Sequence, residues 1–193
     1  MEPRLVLASA SPRRAQILRE LGVPFRVTVS HVDEALRAGE DGAATVERLA
    51  REKASTVARG ETLPVLGADT EVVCDGRILG KPKDAADARA MLQGLAGREH
   101  EVVTGLCLAR GASLHSAVER TSVRFAPMGA HELAWYAATG EPLDKAGAYN
   151  VYGLGGLFVE SLSGSPSNVA GLPVRLLLRL VREAGVDLGW PAA

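Results

Sequence analysis

Apolar positions along the chain recur with two periods, and the switches between them mark out its elements. Residues 4–8, apolar from Leu5 onward, read as a short buried strand. Residues 12–21 then place Ile17, Leu18 and Leu21 on one helical face, with Pro12 suited to the first turn and Gly22 to the stop. A second strand is expected at 25–29. Helical spacing of Val46, Leu49, Ala50, Val57 and Ala58 predicts a helix over 43–59, closed by Gly60. Residues 64–74 read as a strand, and Asp75-Gly76 is a two-residue hairpin signal before a strand at 77–79. Asp84 suits the cap of a helix carrying Ala88, Met91, Leu92 and Leu95 on one side. Strands follow at 101–109 and 114–126, joined around Gly111, and then a helix at 130–138. Pro173 opens a last helix with Val174, Leu177, Leu178 and Val181 facing inward.

Strands and helices interleave while the central hairpins are antiparallel, so an α/β fold with a mixed sheet is expected. One domain over residues 1–193 fits the length, and no repeat, low-complexity tract or linker interrupts it. The Gly-rich region 140–171 is predicted to hold one strand, at 157–161, and is long for an idle loop. The longest uncharged stretches are 14 residues and broken by Gly or Pro, short of the roughly 20 apolar residues a membrane helix needs. With 22 Lys+Arg against 23 Asp+Glu and eight aromatic residues, nothing in the charge balance suggests nucleic acid or a membrane surface as partner. Cys74 and Cys107 form no CxxC pair and read as free thiols of a cytoplasmic protein.

Three segments carry candidate chemistry. In Ala8-Ser9-Ala10-Ser11-Pro12-Arg13-Arg14, two arginines sit where a helix start already carries positive partial charge. Either an anion relieves that conflict, gathered by backbone N–H groups, a serine hydroxyl and Arg13, or one serine caps the helix while both arginines face solvent. In Leu66-Gly67-Ala68-Asp69-Thr70, an aspartate near the end of an apolar strand needs a cation, a metal or several donors, unless it simply binds neighbouring backbone. Hydrolysis by so weak a base calls for a divalent metal, for which Asp33 and Glu34 offer further oxygen ligands. Of 22 basic residues only Lys53, Lys81, Lys83 and Lys145 are lysines, candidate point-charge contacts to phosphate or plain surface charges. Gly147, Gly153, Gly155 and Gly156 surround Tyr149 and Tyr152, a pattern able to stack a ring on a flat ligand or to pack on itself. The set as a whole suits a phosphorylated metabolite.

These residues resemble the Maf family of nucleoside triphosphate pyrophosphatases. The likeness is carried by Leu7-Ala8-Ser9-Ala10-Ser11-Pro12-Arg13-Arg14, Ala50-Arg51-Glu52-Lys53-Ala54, Leu66-Gly67-Ala68-Asp69-Thr70, Gly80-Lys81-Pro82 and Asp144-Lys145-Ala146-Gly147-Ala148-Tyr149. Leu157-Phe158-Val159-Glu160 through Ser167-Asn168-Val169-Ala170-Gly171-Leu172-Pro173 closes the series, in family order. The resemblance implies an elongated, two-lobed fold like that of inosine triphosphate pyrophosphatases, with an active-site cleft between the lobes. It implies hydrolysis of a nucleoside triphosphate to the monophosphate and pyrophosphate with Mg2+ or Mn2+, by a homodimer whose relatives are linked to arrest of cell division.

Carried over by motif, Asp69 accepts the proton, and Glu34, Lys53 and Lys81 line the cleft; on that basis Asp69 and Glu34 are expected to hold the metal, and Ser9, Arg13, Arg14, Lys53 and Lys81 to bind substrate. Arg13, Thr70 and Tyr152 fall at specificity positions. Asp69-Thr70 is similar to the group acting on dTTP and UTP; members preferring 7-methyl-GTP carry Asp-Gln there. The family's Gly-Ile-Gln-Gly reads Asn150-Val151-Tyr152-Gly153 here, so a phenol with one hydroxyl and a stacking face replaces an amide able both to donate and to accept. That departure bears on base preference. A 7-methyl-GTP enzyme and a nucleotide-binding regulator without hydrolysis are the alternatives.

Overall fold

The computed structural model describes residues 2–190. Seven strands are recorded in one mixed sheet: β1 (Leu5–Leu7), β2 (Phe25–Val27), β3 (Val65–Cys74), β4 (Arg77–Leu79), β5 (Glu99–Arg110), β6 (Ser113–Phe125) and β7 (Val159–Ser163). Their order is β2-β1-β3-β5-β6-β7, with β4 paired to β3. β1 runs parallel to β2 and β3, whereas β3–β4 and β6–β7 are antiparallel. Six α-helices accompany them: α1 (Pro12–Glu20), α2 (Gly42–Ala58), α3 (Ala85–Leu95), α4 (Ala130–Ala138), α5 (Pro166–Val169) and α6 (Val174–Glu183).

The chain divides into two compact units. The first comprises 1–69, 104–119 and 171–193; the second comprises 70–103 and 120–170. Strands β3, β5 and β6 contribute residues to both.

In the first unit, Ser11 caps α1 by accepting from the Arg14 amide, and Asp41 caps α2 by accepting from the Ala44 amide. Helix α2 lies directly on the sheet because β3 and β5 present glycines to it. A Cβ at Gly67 would come within 2.2 Å of the Ala50 carbonyl oxygen, and one at Gly105 within 2.3 Å of the Val46 carbonyl oxygen. Around that contact Val6, Ala8, Ala50, Ala54, Val65, Cys107 and Ala109 form a buried core of small side chains. Fully burying one of its valines contributes about 1.5–3 kcal/mol.

In the second unit, Asp75 and Gly76 both take positive φ, at 50° and 72°, the conformation a two-residue hairpin turn demands. Asp84 caps α3 through the Asp87 amide. Larger side chains fill this unit's core, with Leu92, Leu95, Val123, Phe125, Tyr136, Tyr149 and Phe158 among them.

Two expectations need correction. The region 140–171 is not one strand in a loop: three short 3-10 turns at Glu141–Asp144, Ala146–Ala148 and Leu154–Phe158 precede β7, and α5 follows it. Closely spaced glycines conceal such turns from a periodicity reading. On α6 the buried face is Leu176, Leu177, Leu180 and Val181 rather than Val174 and Leu178 with Leu177 and Val181. Val174 and Leu178 lie half-buried at the edge of that face; Arg175, Arg179, Arg182 and Glu183 gather on the opposite arc and so centre the apolar face near Leu177.

Candidate active site

The first unit brings five of the predicted residues together: Glu34 and Asp69 pair with the buried ammonium of Lys53, and Arg14, held on Ser9, senses the charge of both carboxylates. Lys53, on the face of α2 that also carries Ala50 and Ala54, donates to Asp69 Oδ1 at 2.6 Å and lies 2.5 Å from Glu34 Oε1. The geometry follows from two periodicities. Gly67 and Asp69, two apart on β3, point to the same face of the strand. Ala50, Lys53 and Ala54 share one helical face, so the helix backbone that presses on Gly67 delivers Lys53 to Asp69.

Lys53 and Asp69 are 6% and 7% exposed. Glu34 is exposed and belongs to an irregular segment in which Asp33 accepts from the Ala35 amide. The aspartate was expected near a strand end; it is the fifth residue of a ten-residue strand. Its buried carboxylate is met there by a side-chain cation rather than by a terminus or turn.

Arg14 completes the group. It is buried, donates Nη1 to Ser9 Oγ at 3.0 Å and Nε to the Gly171 carbonyl at 2.9 Å. The reading in which both arginines face solvent therefore fails for Arg14, which occupies the apolar stripe of α1 with Ala15, Ile17 and Leu18. Burial lowers its pKa, while the negative charges of Asp69 and Glu34 act in the opposite direction. Ser9 also accepts from the Ser11 amide at 3.2 Å, so one hydroxyl joins the end of β1, the start of α1 and the guanidinium. Arg13, the preceding residue of α1, is half-buried, with Nη1 on Gln16 Oε1 at 3.0 Å.

The remaining predicted residues belong to the second unit. Lys81 is exposed after β4, in a segment held by a 3.1 Å hydrogen bond from the Gly147 amide to the Gly80 carbonyl. Thr70 follows Asp69 on β3. Tyr152 is 55% exposed at the tip of a turn, its amide bonded to Asn150 Oδ1 at 3.2 Å. Lys145 is engaged locally, 2.5 Å from Asp144 Oδ1.

The sequence reading missed two participants: the Gly171 carbonyl that fixes Arg14, which no local pattern announces, and Gly67. The alternation of Gly67 with Asp69 was a usable sign of a close helix approach. That Arg14 would be buried was also legible, since it precedes Ile17 and Leu18 by three and four residues.

Asp69 and Glu34 supply carboxylate oxygens of the kind hard divalent cations take. Among the described residues no three His, Cys, Asp or Glu side chains cluster as a ready metal site. Two carboxylates are nevertheless a partial shell of the sort Mg2+ accepts when phosphate oxygens and water complete it. Lys53 and Arg14 balance Asp69 and Glu34 charge for charge, so the group is close to neutral by itself. A polyanion entering it therefore needs a further cation.

Comparison with known proteins bears on this arrangement. The family model described as Maf-like protein matches residues 4–184. A protein of Anaeromyxobacter sp. (strain Fw109-5) named dTTP/UTP pyrophosphatase is 54% identical, over 98% of this chain and 93% of its own. Proteins of that name from Myxococcus xanthus (strain DK1622) and Pasteurella multocida (strain Pm70) are 50% and 45% identical, over 98% and 94% of this chain and 96% of each of theirs. Among solved structures, the Staphylococcus aureus Ham1 protein superposes with a TM-score of 0.54 at 16% identity, over 93% of this chain and 98% of its own, a likeness of fold alone. Motif order, a family match from residue 4 to residue 184 and near-complete alignment with relatives at up to 54% identity agree, and the chain is a member of the Maf family.

Proposed function

We propose that this chain hydrolyses nucleoside triphosphates, dTTP and UTP foremost, to the monophosphate and pyrophosphate. The observation that carries the reading is the buried Lys53–Asp69 pair, flanked by Glu34 and by Arg14 held on Ser9, in a chain whose relatives at 45–54% identity are named dTTP/UTP pyrophosphatases.

Cleavage between the α and β phosphorus atoms makes two demands: a water must lose a proton as it attacks, and charge spreading over phosphoryl oxygens must be met. Asp69 takes the proton. Lys53 donates to one of its oxygens at 2.6 Å and so fixes which way the carboxylate faces. Arg14 cannot swing away, since Ser9 and the Gly171 carbonyl hold its guanidinium, and it offers a fixed positive charge without reorganisation at the moment of reaction. Ser9, Arg13 and Lys81 complete the contacts to phosphate. Asp69 and Glu34 would hold Mg2+ or Mn2+, which supplies the extra positive charge that the near-neutral group lacks and acidifies water. Thr70, Arg13 and Tyr152 read the base. A homodimer in the cytoplasm belongs to the same reading, and light scattering on the purified protein tests its assembly.

The test is a panel: purified protein with each common nucleoside triphosphate and 7-methyl-GTP, with Mg2+ or Mn2+, assayed for pyrophosphate. Release from dTTP and UTP is expected. Binding without release from any nucleotide overturns the enzyme reading in favour of a nucleotide-binding regulator, and preference for 7-methyl-GTP overturns the base assignment.

A further inference from the structure

We propose that Glu141 and Tyr136 form a clasp that positions the turn carrying Tyr152, and that this clasp sets base discrimination without touching substrate. The inference rests on the reaction proposed above and deepens it.

The clasp lies wholly within the second unit. Glu141 Oε1 accepts from the Tyr136 hydroxyl at 2.9 Å and from the Gly155 amide at 3.1 Å, while its Oε2 accepts from the Leu154 amide at 3.1 Å. The Tyr136 hydroxyl accepts in turn from the Asn150 amide at 3.1 Å. Both ends of the 150–155 turn are therefore tied to one carboxylate–phenol unit, and Tyr152 stands between the ties. Two successive amides converging on a carboxylate form a small anion nest, here filled by a side chain of the same unit.

Glycines make the contact this close. A Cβ at Gly153 would come within 2.2 Å of Glu141 Oε2, and one at Gly155 within 2.5 Å of the Tyr136 hydroxyl. No other residue fits the turn at those two places while the clasp is closed. The anchor is firm on its other side as well: Tyr136 is fully buried on α4, with its ring centroid 5.5 Å from that of Phe158. Burial pushes the Tyr136 phenol well above its ordinary range, so it remains a proton donor to Glu141 at every working pH.

Tyr152 has a different standing. Its side chain is 55% exposed, and the path of the turn decides where its ring is offered. The residue at the specificity position thus depends on a carboxylate eleven residues earlier in the chain that meets no substrate. Glu141 and Tyr136 are positioning residues.

The experiment measures kcat and KM for dTTP, UTP, CTP and GTP with the full chain and with Glu141→Gln, Tyr136→Phe, Tyr152→Ala and the Glu141→Gln/Tyr152→Ala double variant. For Glu141→Gln we expect KM for the preferred nucleotide to rise about tenfold, with kcat within about threefold, so that the preferred base loses about tenfold in its advantage over the others. In the Tyr152→Ala background the same substitution should leave the ranking of bases where Tyr152→Ala put it, because the clasp acts through that ring. A folded Glu141→Gln or Tyr136→Phe that lowers the unfolding midpoint yet keeps the parental KM values and ranking overturns the proposal in favour of a purely structural role. Amide hydrogen exchange on the unsubstituted chain gives a readout that needs no variant: Asn150, Leu154 and Gly155 should exchange slowly, and rapid exchange at all three overturns the clasp. A parent that releases no pyrophosphate from any nucleotide overturns the reaction instead. Dissociation constants for the same nucleotides then measure discrimination, and ratios unchanged in Glu141→Gln overturn the clasp.

Discussion

Gly67 lies so close beneath Ala50 that the Cβ of any other residue there would come within 2.2 Å of the Ala50 carbonyl oxygen. The obstacle is helix backbone, which cannot rotate aside, and Lys53 rides on the same helix three residues later. Gly67→Ala is therefore expected to lift α2 from β3, at the roughly 1–3 kcal/mol typical of an overpacked core, and to draw Lys53 away from Asp69. A lower urea midpoint together with a loss of turnover checks this. Gly94→Ala on α3 serves as its control, because that position faces open space and gains at most about 1 kcal/mol of helix propensity. Equal midpoints for the two variants would remove the close-approach argument.

Under the proposed reaction, Asp69→Asn lowers kcat by about 10²–10⁴-fold, the usual contribution of a positioned general base. Lys53 keeps Glu34 as a partner in that variant, and the group loses one negative charge, so nucleotide should still bind. Calorimetric titration with a non-hydrolysable triphosphate and a turnover assay check the two halves separately. Wild-type turnover of dTTP and UTP would mean that another group takes the proton.

Tyr152→Gln puts an amide, able both to donate and to accept, where this chain has a phenol. Sites that hydrogen-bond a substrate edge discriminate far more strongly than sites that only pack against it. The variant is expected to sharpen preference for dTTP and UTP over CTP and GTP by about tenfold in kcat/KM, with kcat little changed. Unchanged ratios across the four nucleotides would show that Tyr152 does not read the base.

His100 makes stability pH-dependent in a definite direction. Its Nε2 lies 2.9 Å from the Tyr149 hydroxyl, its ring packs edge-on to Phe125 at 5.1 Å, and its Nδ1 is buried with no hydrogen-bond partner among the described residues. Burial lowers its pKa from 6.5 to about 4. Between those values the unfolded chain binds a proton that the folded chain refuses. The contribution is complete above pH 6.5 and is lost as pH falls toward 4. Moving from pH 7 to pH 5 should remove roughly 2 kcal/mol through this group. Urea unfolding at both pH values, for the parent and for His100→Gln, checks it: the variant should show a flatter response, and parallel curves would assign the acid sensitivity elsewhere.

Much of the element list was legible because its causes are local. Pro12, Asp84, the Asp75-Gly76 turn and the apolar spacing of α1 to α3 act within a few residues of one another, and the strands and helices they announce are present. The turns between 140 and 158 were hidden for a complementary reason. They are held by side-chain-to-backbone hydrogen bonds such as Glu141 to Leu154 and Gly155, which leave no period in the sequence.

The candidate site divides in the same way. Residue types and motif order by themselves point to Ser9, Arg14, Lys53 and Asp69, and the spacing of Arg14 from Ile17 and Leu18 fits its burial. The pairing of those residues is not legible in this way. Lys53 and Asp69 are 16 residues apart and Arg14 and Gly171 are 157 apart, so only the packing of α2 on Gly67 and the return of the chain before α6 bring them within hydrogen-bonding distance. Sequence by itself determined most of the helices and strands, though not the turns of 140–158 or α5, and which charged groups are unusual, because propensity and periodicity are short-range. Tertiary structure decided which charges of the candidate site neutralise which, because a Coulomb or hydrogen-bond contact depends on distance in space, and folding sets that distance without regard to separation along the chain.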